Sequence, residues 1–170
     1  MDYESLQDLY LHELKDLYGV EKQIYRALPK VIKHASSPQL KQALEHHREQ
    51  TKTQSERLDR IFERMGKSTR GSRCKAMDGM VEECEDWMDQ EAQPEVMDSG
   101  LIAQMQRVEH YEMAAYGCAR TYAQVLGLKE DEKLLDQTLH EEAETDKKLT
   151  SLAEKINAEA AAPAHAEHPA

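Results

Sequence analysis

The sequence predicts an all-α protein, a bundle of four long helices with a shorter helical segment between the second and third. Three observations carry this. Gly and Pro occur only 7 and 5 times in 170 residues, so few breaks interrupt the chain. The frequent residues Glu, Leu, Ala, Lys and Gln are good helix formers. Apolar residues recur at helical spacing over long stretches, and no segment alternates cleanly with period two.

The first helix is predicted from about Tyr3 to His34, with Leu6, Leu9, Leu14, Leu17, Ile24, Leu28, Val31 and Ile32 along it. Pro29 near its end predicts a kink. In the break 35–38 (ASSP), Ser37 is a good N-cap and Pro38 a good first helical residue. The second helix then runs to about Met65 and stops at Gly66, a glycine suited to the C′ position. Residues 67–73 form a basic linker. A shorter amphipathic segment, 74–90, carries Met77, Met80, Val81, Cys84, Trp87 and Met88. These suit packing against the bundle better than a copper or haem site. Asp98 or Ser99 is the expected cap of the third long helix, which runs to Leu126 and ends at Gly127. The fourth starts near Lys129 and ends around Ala158. Residues 1–157 are thus the bundle, and the Ala-, Pro- and His-containing tail 158–170 is expected to be disordered.

Loop lengths carry the topology. Short loops join helices one and two, and three and four, so each pair is antiparallel. Between the pairs lies a long connection with its own helix. Two hairpins joined by one long crossover is the ferritin-like arrangement.

Charge and composition exclude several functions. The net charge is −11 and the pI about 5.2, so a nucleic-acid polyanion would be repelled. No apolar run approaches the roughly 20 residues needed to span a bilayer. The first residues, Met1, Asp2, Tyr3 and Glu4, are acidic where a signal peptide is basic. Cys74, Cys84 and Cys118 form no CxxC pattern and read as free thiols in a reducing cytoplasm. Tyr- and Met-containing outer faces of the first helix and the crossover predict a homodimer.

The chemistry lies in the apolar stripes. Each residue turns a helix by about 100°, so polar residues sharing the stripe can be identified. Glu21 lies four residues after Leu17 and three before Ile24. Glu13 also falls within this stripe, two turns away, as a supporting group. On the second helix His47, Thr51 and Gln54 fill the gap between Leu44 and Leu58. On the third, Glu109 and Glu112 lie on the line from Met105 to Ala119, with Tyr116 beyond. On the fourth, Glu142 and Asp146 fill the middle between Leu139 and Leu149. All four interruptions fall near mid-length, where antiparallel helices of similar length place them at one level. Burying even one ionised group costs several kcal/mol, and no Lys or Arg lies centrally on these stripes. Two cations would neutralise the cluster, and carboxylate oxygens with an imidazole suit iron or manganese. The predicted metal-site residues are Glu21, His47, Glu109, Glu112, Glu142 and Asp146. A weak internal repeat agrees: a shift of 95 lays Leu40 on Leu135 and His47 on Glu142, and a shift of 91 lays Glu21 on Glu112.

The segments YLHELKDLYGVEKQ at 10–23, ALPK at 27–30, EHYE at 109–112, AAYG at 114–117 and EEAETDKKLT at 141–150 resemble the YciE/YciF family of bacterial ferritin-like proteins. The mid-chain CKAMDGM at 74–80 joins the match, which covers roughly residues 3 to 157. The resemblance implies a rubrerythrin-like bundle, usually dimeric, associated with bacterial stress responses, with no well-defined reaction. The family is similar to di-iron carboxylate proteins, which implies Glu21, Glu109, Glu112 and Glu142 as ligands. Any enzyme of this kind would be an oxidoreductase that oxidises ferrous iron or reduces peroxide. The alternative is a non-catalytic structural or interaction bundle. One departure favours it: Glu-x-x-His, common on the second and fourth helices of di-iron proteins, is absent. Leu44 stands three residues before His47, and Thr145 three after Glu142.

Overall fold

A computed structural model describes residues 3–70 and 73–162. It contains five helices: α1 (Leu6–His34), α2 (Pro38–Met65), α3 (Lys75–Met88), α4 (Pro94–Val125) and α5 (Lys129–Ala160). No strand occurs among the described residues. No helix among them is long and apolar enough to cross a membrane.

The helix ends follow capping chemistry. Ser37 accepts from the Leu40 amide ahead of Pro38, and Gly66 adopts a left-handed conformation after Met65. α1 starts at Leu6 rather than Tyr3, because Ser5 is extended and its hydroxyl accepts from the Asp8 amide. The helix continues through Pro29, which is exposed, to His34.

α4 begins at Pro94, earlier than the expected cap at Asp98 or Ser99. Proline has a fixed φ that suits a first turn, so the helix needs no cap at Asp98. Asp98 instead lies inside α4, 2 % exposed. Its two carboxylate oxygens accept from the backbone N–H groups of Ser36 and Ser37, each at 2.7 Å. The residue fastens the α1–α2 turn to α4. α5 extends to Ala160, so residues 158–160 of the expected tail are helical; residues 163–170 lie outside the described residues.

The core divides into two apolar clusters. One holds Ile24, Leu28, Leu40, Leu44, Leu101, Met105, Val108, Leu149 and Ile156. The other holds Leu14, Leu17, Leu58, Ile61, Phe62, Tyr116, Ala119, Ala123 and Leu135. Read along each helix, the order of clusters gives direction. α1 and α5 run from the second cluster to the first, and α2 and α4 run the other way. α2 and α4 are therefore parallel, and the chain must return the full length of the bundle between them. The connection 66–93 does this. α3 within it packs on α1 and α4 and buries Met77, Cys84 and Met88. The Trp87 indole N–H donates to the Met97 carbonyl at 3.2 Å. Gly100 makes room for that ring, since a Cβ there would lie 2.0 Å from Trp87 Cε2.

Candidate metal centre

Between the two clusters lies a polar layer. Glu21 sits on α1 between Leu17 and Ile24, and His47 on α2 between Leu44 and Leu58. Glu109 and Glu112 sit on α4 between Val108 and Tyr116, and Glu142 on α5 between Leu135 and Leu149. All five residues are at most 1 % exposed. One potential ligand atom from each of His47, Glu109, Glu112 and Glu142 lies within 4.8 Å of the others.

The two imidazole nitrogens of His47 face different carboxylates. Nε2 is 3.3 Å from Glu109 Oε1, and Nδ1 is 4.0 Å from Glu142 Oε2. Neither nitrogen is aligned as a hydrogen bond. Burial lowers the His47 pKa to about 4, so the ring is neutral at pH 7 and has a lone pair to give.

The carboxylates are crowded and buried. Burial, reinforced by the charge of Glu142, pushes Glu21, Glu109 and Glu112 well above the usual carboxylate range. Burial raises Glu142 to about 7. Eight polar atoms of the layer have no hydrogen-bond partner: one oxygen of Glu21, both nitrogens of His47, both oxygens of Glu109 and of Glu112, and one oxygen of Glu142. Buried polar atoms are nearly always paired, so a layer of orphaned polar atoms, in which His47, Glu109, Glu112 and Glu142 converge, fits a bound cation. The nitrogen and oxygen donors suit iron or manganese.

Other residues hold the layer in place. The Tyr116 hydroxyl donates to Glu21 Oε1. Thr51 donates to the His47 carbonyl at 3.0 Å. The Gln54 amide donates to Glu142 Oε1 and, at 3.1 Å, to Glu141 Oε2. Arg57 grips Glu141 through two bonds of 2.6 Å and bonds Thr138 at 3.1 Å. Gln54 and Tyr116 were visible on the sequence stripes, but the Arg57–Glu141 pair was not. Both residues sit at stripe edges, where periodicity does not distinguish core from solvent.

Asp146 stands apart from the predicted set. Its Oδ1 is 2.9 Å from Gln106 Nε2 and 3.3 Å from His110 Nε2, and the side chain is 19 % exposed. It lies at the α4–α5 seam, outside the four residues whose ligand atoms converge. Glu13 is half-buried and also lies outside them.

Residues 5–162 match the family model described as a domain of unknown function, DUF892. The chain belongs to the DUF892 family. It is 42 % identical over 154 residues to Protein YciF of Escherichia coli (strain K12), across 90 % of this chain and 93 % of that one. The crystal structure of the E. coli stress protein YciF superposes with a TM-score of 0.88 at 40 % identity, covering 91 % of this chain and 98 % of that one. YcfI from Rhodopseudomonas palustris, provisionally described as a structural protein, gives 0.85 at 39 % identity, covering 88 % and 96 %. A Xanthomonas campestris protein shares the fold, with 0.72 at 21 % identity over 91 % and 94 %. In this DUF892 chain the layer of glutamates and one histidine spans the four long helices, while α3 supplies no side chain to the cluster.

Proposed function

We propose that this protein is a ferritin-like stress protein that holds a dinuclear iron or manganese centre in the bundle. His47, Glu109, Glu112 and Glu142 are the core ligands, with Glu21 completing the site. The observation that carries this is the group of eight orphaned buried polar atoms around one layer. Without cations, several glutamates would have to stay protonated in the core. The stress role rests on 42 % identity to E. coli YciF, which is called a stress protein.

When bound, two such ions would supply electron transfer, either from ferrous iron to dioxygen or from an external reductant to peroxide. The chain's own residues prepare the site. Tyr116 fixes the rotamer of Glu21, leaving its second oxygen free. Gln54, braced with Arg57 on Glu141, fixes Glu142. Neutral His47 presents a nitrogen without first losing a proton. The flanking apolar clusters exclude bulk water, which strengthens every charge interaction inside.

The second reading is a structural bundle in which no redox-active metal acts. The missing Glu-x-x-His and the provisional description of YcfI favour it. Elemental mass spectrometry of tag-free protein, before and after anaerobic ferrous iron, separates the two. About two metals per chain, reduced in Glu112→Ala, support the metal reading. Absence of stoichiometric metal under both conditions moves function to the structural reading. A homodimer is proposed alongside, and light scattering that gives a monomer mass at micromolar concentration would count against it.

A further inference from the structure

A buried site needs a route for its cation, and the walls around this layer are not alike. Where α2 meets α5, the Arg57 guanidinium lies on Glu141, beside Glu142. That ion pair plugs the seam, its side chains 15 % and 27 % exposed, and leaves no free carboxylate there to receive a cation. Along α1, Leu17, Val20 and Ile24 are at most 3 % exposed, and Tyr116 closes on Glu21. That wall is apolar and sealed.

The α4–α5 seam differs. Asp146 lies one helical turn beyond Glu142 on α5, with 19 % of its side chain exposed. His110 follows Glu109 on α4, is 65 % exposed, and brings Nε2 to 3.3 Å from Asp146 Oδ1. The charge of Asp146 acts directly on Glu109. Glu109 is fully buried, and neither of its oxygens has a hydrogen-bond partner. Gln106 Nε2 donates to Asp146 at 2.9 Å and also to the Thr150 hydroxyl at 2.9 Å. The amide therefore keeps a partner if the carboxylate turns away.

We propose that Asp146 and His110 form an outer docking position, which takes a divalent cation from solvent and passes it to Glu109 and Glu142. The proposal rests on the metal-binding reading of the buried layer. Both groups ligate divalent ions of the iron and manganese class. The exposed His110 and partly exposed Asp146 can exchange ligands with water, and the buried Glu109 behind them provides the stronger destination. A partly exposed carboxylate at the rim of a buried site also raises the local cation concentration and the rate of capture.

The test separates rate from capacity. Cobalt(II) is mixed anaerobically with chelator-treated protein in a stopped-flow instrument, and its visible absorption reports uptake. Final stoichiometry is read by elemental analysis. Asp146→Asn and His110→Gln should each slow uptake, Asp146→Asn by about tenfold, with the same final metal content as the parent chain. Uptake at the parental rate in both variants overturns the proposal. A lower final content in Asp146→Asn also overturns it, because Asp146 would then be a ligand of the inner site. If the parent chain takes up no cobalt, the metal-binding reading itself fails.

Discussion

Replacing Glu112 by methionine, Glu112→Met, removes a carboxylate that is 1 % exposed and has no hydrogen-bond partner on either oxygen. In the metal-free protein this group only costs stability. An unsatisfied buried polar group costs about 1–3 kcal/mol, and an apolar side chain of similar volume removes that cost. Methionine fills similar space and adapts its shape. A gain of about 2 kcal/mol raises Tm by roughly 4–8 °C in a chain of this size. With metal present the order should invert. A ligand at 100 times its Kd stabilises the parent chain by about 2.7 kcal/mol, and the variant lacks one ligand and forfeits most of that. The assay is thermal unfolding followed by helical circular dichroism, on chelator-treated protein and again with saturating manganese. A metal-free Glu112→Met protein less stable than its parent, with an undiminished manganese shift, would refute the reasoning.

Four further outcomes follow from the structure. The folded-state pKa values of Glu21, Glu109 and Glu112 lie well above 4.5, and that of Glu142 reaches about 7. The native chain thus keeps protons that the unfolded chain releases, so metal-free stability falls as pH rises from 4.5 through about 7. His47, lowered to about 4, works in the opposite direction up to pH 6.5, but it is one group against four. Urea midpoints across this range check the slope. Bound metal competes with the same protons, so the manganese-induced increment should grow with pH. Asp98→Ala deletes two charge-assisted bonds to the Ser36 and Ser37 amides and should cost about 2–3 kcal/mol in urea unfolding, while an unchanged midpoint would dismiss the fastening role. Gly100→Ala drives a methyl into the Trp87 ring, costing about 1–3 kcal/mol and shifting tryptophan emission to the red as α3 loosens.

Much of the architecture is legible in the sequence because its signals are local. Ser37 with Pro38, and Gly66, mark their helix ends through hydrogen bonding and φ preference, which need no distant partner. The 100° rotation per residue places Glu21, His47, Glu109, Glu112 and Glu142 on buried faces, since each is flanked on its own helix by core residues. Asp98 departs from its expected role because a capping residue type has no fixed target. It looked like a cap for its own helix and instead binds the amides of another segment. Asp146 lies outside the converging four because periodicity resolves direction but not reach. One more turn along α5 carried its carboxylate away from the centre, to Gln106 and His110 on α4.

The sequence by itself determined the helices, their direction through loop length, and which acidic groups turn inward, because backbone propensity and stripe periodicity are properties of neighbours along the chain. Only the tertiary structure decided which of those groups converge, which stay at the rim, and that Arg57 pairs with Glu141 beside the layer. Those outcomes depend on the spacing and stagger of α2, α4 and α5, which residues far apart in sequence set together through packing.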